Sequence, residues 1–172
     1  MLKKILSKLL FFINPHKPYG AEFFNALARL TLTVACEAVY TRKNPQGETE
    51  VYLTVREENE VYAGALHCPG SVMRPGENFN DVFNRLGIKE FKVSVSSFKL
   101  KGVIMNTKEK RGHFVQLVFS VELEGEPSGG AWYNLKNLPA LVPDFQREFT
   151  LPIGAGENVE NTENYSISLA SI

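Results

Sequence analysis

Residues 67–93 read HCPGSVMRPGENFNDVFNRLGIKEFKV, and the fold of the chain turns on how they are parsed. Two Pro-Gly pairs, Pro69-Gly70 and Pro75-Gly76, punctuate the start. Such a loop lets backbone N–H groups approach an anion closely. A helix is expected from about Asn78, because Phe79, Val82, Phe83 and Leu86 recur at helical spacing. Gly87 opens a second register, in which the helix stops at Leu86 with Gly87 as its C-cap and IKEFKVSV (88–95) is already strand. Glycine inside a helix costs about 1 kcal/mol relative to alanine, which favours that register locally.

Upstream, GAEFFNALARL (20–30) sets Phe23, Ala26, Leu27 and Leu30 on one side of a short helix. TLTVACEAVYT (31–41) alternates Leu32, Val34 and Cys36 and then shifts, as a largely buried strand does. NPQGET (44–49) is a turn by its Asn-Pro and Gly content, joining that strand to EVYLTVRE (50–57) in a hairpin. VYAGALHC (61–68) reads as a third strand. Downstream, strands are expected at 91–100 and 101–105, and NTKEKRG (106–112) turns into a long strand, HFVQLVFSVELEG (113–125). After a loop at 126–131, WYNLKNLPALVPDFQREF (132–149) closes with a strand, a turn and a short helix. The tail from Gly156 is polar and expected to fray. Helices at both ends of a strand-rich middle make an α+β sandwich, a mixed sheet covered by helices on opposite faces.

A chain of 172 residues is long enough for one domain with a real core, and 44% apolar content excludes global disorder. Nineteen Lys and Arg balance nineteen Asp and Glu, so no cationic footprint for a nucleic acid duplex exists. Cys36 and Cys68 have no CxxC spacing and read as reduced intracellular thiols. The start, MLKKILSKLLFFINPH (1–16), imitates a signal peptide, but Lys8 interrupts the apolar run and no small-residue cleavage site follows. The run is also far shorter than the roughly 20 residues that span a bilayer. As a helix it places Leu2, Ile5, Leu6, Leu9, Phe12 and Ile13 opposite Lys3, Lys4, Ser7 and Lys8. That face suits a membrane surface, a partner, or the protein's own core. The expected division is an amphipathic segment at 1–18, a domain at 19–155 and a polar tail at 156–172, in a cytoplasmic setting with a membrane-peripheral one as the alternative.

From about residue 20 to 150 the chain resembles the Nudix proteins. Their box is Gly, five residues, Glu, seven residues, then Arg-Glu-aliphatic-x-Glu-Glu-x-Gly-aliphatic. Laid without gaps, it meets Ser71, Glu77 and RLGIKEFKV from Arg85 to Val93. RGHFVQLVFSVELEGEP (111–127) resembles the family's late strand, and Trp132, Tyr133, Leu135, Leu138 and Pro139 resemble its closure. The resemblance implies a Nudix-like α/β/α sandwich and hydrolysis of a nucleoside diphosphate linked to another moiety, with Mg²⁺ or Mn²⁺ as cofactor. It also implies that Gly70, Ser71 and Gly76 cradle phosphate and that Glu77 and Arg85 tie loop to helix as a charged pair. Glu90, Glu77 and Arg85 are then the surviving catalytic candidates.

The family's metal is held by three glutamates at positions matching 86, 89 and 90, and here these are Leu86, Lys89 and Glu90. Their summed charge goes from minus three to zero, whereas a hard cation wants several oxygen ligands. An ammonium beside the ion adds repulsion of about 4 kcal/mol at contact distance and intermediate dielectric. The metal site is therefore expected to be impaired, with Glu90 its one remaining ligand. Glu122, Glu124 or Glu126, or Glu77 or Asp81 turned inward, are the acids left to rebuild it. Restoring glutamate at 86 and 89 is expected to tighten metal binding.

His67 and His113 are expected to be hydrogen-bonding or surface residues, and Trp132, Tyr133, Tyr62 and Phe114 either pack or stack a base. Three readings stay open at this point: a binding module that kept the cleft and lost turnover, with Lys89 as a fixed positive charge against phosphate; an active hydrolase using other acids; and a membrane-peripheral or interaction protein docking through residues 1–13. The oligomeric state is not encoded in any pattern of the chain.

Overall fold

The computed structural model describes residues 1–17, 20–58, 61–162 and 165–170. The domain boundary expected at Pro18 lies outside the described residues. Among the described residues nine strands form two sheets: β1 (Leu32–Val39), β2 (Thr41–Lys43), β3 (Thr49–Val55), β4 (Leu66–His67), β5 (Gly70–Val72), β6 (Val95–Asn106), β7 (His113–Leu123), β8 (Gly130–Asn134) and β9 (Tyr165–Leu169). The larger sheet runs β5-β1-β7-β6-β9 and is mixed, since β1 and β7 are parallel and the other pairs antiparallel. In the smaller sheet β3 carries β8 on one edge and β2, then β4, on the other.

Alternation along β1 and β7 assigns the two faces of the large sheet. Cys36, Ala38, Phe119 and Val121 point to α3 (Phe79–Leu86), whose Val82, Phe83 and Leu86 are buried against them. Val39 and Val118 point the other way, to Leu151 and Ile153 of α4 (Leu151–Gly154). Helices thus cover both faces, the expected α/β/α sandwich. A third, small cluster joins Ala28 of α2 (Ala21–Ala28) to Ala35 of β1 and Phe114 of β7.

α3 starts at Asn78, whose side chain accepts from the Asp81 N–H while the Asp81 carboxylate accepts from the Asn78 N–H. This reciprocal pair satisfies two orphan donors of the first turn. Asp81 is therefore occupied as a cap. Gly87 does not end the helix. Its φ of −53° is helical, and the chain continues through a wider π-helical turn, Gly87–Phe91, before Lys92 reverses at φ 62°. The register in which strand begins at 88 is thereby corrected. The buried Phe91 side chain anchors the extra turn on Tyr52 and Tyr40. Burial of Phe91 outweighs the local cost of glycine in a helix.

Other expectations shift for tertiary reasons. The strand expected at 61–68 shrinks to Leu66–His67, because Tyr62 at φ 66° and Gly64 at φ 74° turn the chain. The strands expected at 91–100 and 101–105 are one strand, β6, paired with β7 along its length and carrying a register shift between Leu100 and Gly102. The expected hairpin is between β2 and β3. The tail does not fray throughout: β9 adds to the free edge of β6 with Ile167 opposite Ile104. That edge pairing satisfies backbone groups which would otherwise stay open.

Candidate functional site

Glu37 and Gln116 interrupt the apolar row on one face of the large sheet, between the α2 cluster and the main core. Above them lies a cleft of about 410 Å³, within the usual size range of small-ligand sites. Its floor is Glu37, Ala35 and Phe114 from the sheet, with His67 and Gly70 to Val72 from the neighbouring strands. One wall is Gly20, Ala21, Phe24 and Asn25, and another is Met73 to Pro75 of the phosphate-type loop. Lys89 and Glu90 reach it from the π-helical turn.

The Glu37 carboxylate is buried, accepting from Gln116 Nε2 at 3.1 Å and from the Cys68 thiol at 3.5 Å. Burial pushes its pKa up, and the nearby Arg56 charge with these hydrogen bonds pulls part of the way back. A Cβ added at Gly70 would stand 2.3 Å from Glu37 Oε2. Gly70 is thus required for the acid to sit in the floor, a closer approach than any side chain permits. His67 is likewise buried, and burial reinforced by Arg56 holds its imidazole down to about 3, so the ring is neutral. Its Nε2 lies 3.2 Å from Thr54 Oγ1, which donates to Glu90 Oε2 at 3.3 Å. A hydroxyl has one hydrogen, so in this arrangement the imidazole Nε2–H donates to Thr54.

Glu77 and Arg85 occupy a different place. Arg85 donates to Glu77 through Nε (3.0 Å) and Nη2 (2.7 Å), to the Val72 carbonyl (3.2 Å) and to the Ser71 hydroxyl. Glu77 also accepts the Arg74 N–H at 2.8 Å. The pair is a staple between loop and helix, and neither side chain lines the cleft. Ser71 lines it while spending its hydroxyl on Arg85, and Gly76 serves the loop by its φ of 85°. Partial burial raises the Glu77 carboxyl, but the Arg85 hydrogen bonds and the Arg74 N–H overcome it and the net pKa is lowered. A carboxyl with a depressed folded pKa contributes stability above its unfolded pKa and loses it as pH falls through the folded value. Glu77→Gln is therefore expected to cost about 2 kcal/mol at pH 7, and the gap from the parent should close in urea titrations at acid pH. A gap independent of pH would assign the loss to packing.

The donor set does not fit a resident metal. Leu86 is 1% exposed in the aromatic core, turned away from the cleft. Lys89 Nζ stands 3.5 Å from Glu90 Oε1, so the remaining box acid already faces an ammonium. Among the described residues no three of His, Cys, Asp and Glu gather as a metal site. Glu122, Glu124 and Glu126 lie outside the cleft lining. Glutamate at 86 is expected not to repair the site, because the side chain would enter the core. Lys92, at the box's last glycine position, has a left-handed backbone at φ 62°.

What the cleft does hold is positive charge. Among the described residues, Lys17, Arg56, Arg74, Lys89 and Arg111 line it with Glu37 and Glu90, five cations to two carboxylates. Arg111 also lies over the Phe114 ring at 4.8 Å and pairs with Glu109 at 2.9 Å. A smaller annex of about 130 Å³ shares Arg56, His67, Lys89 and Glu90 and adds Lys92 and Glu57, one charge of each sign. Of the aromatic candidates only Phe114 lines the cleft; Trp132 packs on Tyr40 and Tyr52, under Arg42. His113 is exposed. Both thiols are buried, and burial pushes Cys36 up to about 12 and Cys68 well above its ordinary value, so neither is a nucleophile at neutral pH.

Sequence reasoning missed Glu37, Arg56, Arg74 and Arg111. The available signal was a single acid inside an otherwise apolar strand, Glu37 in LTVACEAV (32–39). The arginines carried none, because each sits in an ordinary polar loop or strand end.

No protein-family model matches the sequence, and no curated protein does. Among solved structures, the MutT NUDIX hydrolase of Burkholderia pseudomallei superposes with a TM-score of 0.57 at 20% identity, over 68% of this chain and 94% of that one. The MutT protein of Methanosarcina mazei Go1 gives 0.55 at 21% identity, over 72% and 94%. The NUDIX domain of Shewanella oneidensis NrtR, crystallised with ADP ribose, gives 0.56 at 17% identity, over 87% and 96%. At these identities the likeness speaks for the fold.

Proposed function

We propose that this chain, a Nudix-fold α/β/α sandwich, is a cytoplasmic binding protein for a nucleoside diphosphate derivative and turns its ligand over slowly or not at all. One observation carries the reading: of the three box positions, Leu86 is in the core, Lys89 is a cation and Glu90 is paired with it. Charge that a divalent ion would supply is instead built into the chain as Lys89, Arg56, Arg74 and Arg111. These cations need no assembly when a diphosphate arrives, and guanidinium groups match phosphate oxygens bidentately. Phe114 and Phe24 offer apolar surface for the less polar part of the ligand. ADP ribose, the ligand in the NrtR NUDIX domain structure, is the natural first probe.

Hydrolysis would need an activated water, and the acids present are poorly placed to supply one without metal. Glu37 is engaged by Gln116 and Cys68 on the buried floor, and His67, its pKa held down to about 3, is a weak base hydrogen-bonded into the Thr54–Glu90 chain. The test is calorimetry with ADP ribose, nucleotide sugars and nucleoside diphosphates, with Mg²⁺ and with EDTA. Binding is expected to change less than about threefold on chelation and to fall at least tenfold in Arg56→Ala, about 1.4 kcal/mol. Metal-dependent turnover of about 1 per second or more would overturn the reading. Alanine replacement of Glu122, Glu124 and Glu126 would then find the acid that rebuilt the site.

A further inference from the structure

α1 (Leu2–Leu10) and the two turns after it bury no side chain. Leu2 is 78% exposed, Leu9 57%, Phe11 89% and Phe12 86%, and Ile5, Leu6, Leu10 and Ile13 are also exposed. The protein's own core is therefore not what this face packs on. Lone exposed apolar residues need no explanation, but eight large ones within twelve consecutive residues do. Among the described residues no helix is long and apolar enough to cross a membrane, so the segment lies on whatever it binds.

Charge selects the occupant. Residues 1–21 contain Lys3, Lys4, Lys8 and Lys17 and no acid, giving +4; the whole chain has nineteen of each sign, so residues 22–172 carry fifteen basic and nineteen acidic groups, −4. An anionic surface attracts this segment, whereas the remainder of the chain carries net negative charge and supplies no overall attraction of its own. Apolar side chains on one helical face and lysines on the other are the pattern that sinks into the headgroup boundary. We infer that residues 2–13 dock the protein on an anionic phospholipid bilayer.

The docked element is continuous with the cleft. The His16 ring Nδ1 donates to the Pro75 carbonyl at 2.9 Å, strapping the segment to the phosphate-type loop. Lys17, Ala21 and Phe24 then form part of the cleft wall. Six residues, Phe11 to His16, lie between Leu10 and Lys17, so the seven steps reach at most about 25 Å at full extension. Docking therefore holds the mouth of the cleft beside the lipid surface.

The experiment is co-sedimentation of the full chain with vesicles of phosphatidylglycerol and phosphatidylcholine, compared with phosphatidylcholine alone. The parent should pellet with the anionic vesicles and at least tenfold more weakly with the neutral ones. Ile5→Ser/Leu6→Ser/Leu9→Ser should abolish the association at an unchanged melting temperature, while Lys3→Gln/Lys4→Gln/Lys8→Gln should erase the preference for anionic lipid. Equal partition into both vesicle types overturns the inference, as does no binding to either. A serine variant that melts much lower shows that the face packs on the core. Self-association in light scattering that the serines abolish, without vesicle binding, makes a second copy the occupant. Each of these results is independent of nucleotide binding in the cleft.

Discussion

Leu86→Glu is expected to unfold this protein rather than repair a metal site. Leu86 is 1% exposed and packs with Val82, Phe83 and Phe91 between α3 and the large sheet. A carboxylate there would lose the leucine's packing, about 2–5 kcal/mol, and would add several kcal/mol for an unpaired buried charge. Against a typical total stability of about 5–15 kcal/mol, the sum removes most or all of the folded population. Chemical denaturation should show a midpoint collapsed to low urea, or a far-ultraviolet signal already unfolded in buffer. Lys89→Glu is the control, because its side chain is 55% exposed and leaves the core alone. It should fold normally and bind Mg²⁺ more tightly than the parent, with two adjacent carboxylates in place of a carboxylate and an ammonium. A well-folded Leu86→Glu protein that binds Mg²⁺ tightly would show that position 86 faces the cleft and would reinstate the metal reading.

The second large effect is expected at Phe83, for a reason the aromatic geometry supplies. Its ring stacks on Phe98 with centroids 4.3 Å apart and meets Phe119 edge-on at 5.0 Å, while Phe79 contacts both partners from one turn before. Offset and edge-on aromatic pairs add to the area they bury. Phe83→Ala should therefore cost about 3–5 kcal/mol, read as a fall in the urea midpoint at unchanged slope. Phe83→Leu should cost clearly less, since it leaves a smaller cavity. An unchanged midpoint in Phe83→Ala would remove α3's inner face from the core and with it the placement of Lys89 and Glu90.

Both predictions rest on α3, the element most legible in the chain. Val82, Phe83 and Leu86 gave its inner face by spacing alone, with Phe79, 39% exposed, at its rim, because helical period is a local property. The box remnants Glu77 and Arg85 gave the staple between loop and helix, since a charged pair eight residues apart closes one local turn. Loss of two box carboxylates was legible as well, being a matter of residue identity. The order of elements gave the sandwich.

Tertiary structure alone decided the rest, and the reason is the same in each case. The π-helical turn at Gly87–Phe91 exists because Phe91 gains a buried seat on Tyr52, a partner 39 positions away that outweighs glycine's local preference. β9 exists because β6 offers an open edge, which a polar tail cannot announce. The cleft exists because Glu37, Arg56, Lys17 and the Arg111–Gln116 segment converge from four separate places in the chain. Residue type and spacing determine what a segment can do by itself. Burial, paired edges and converging charge are properties of distant segments brought together, and only packing creates them.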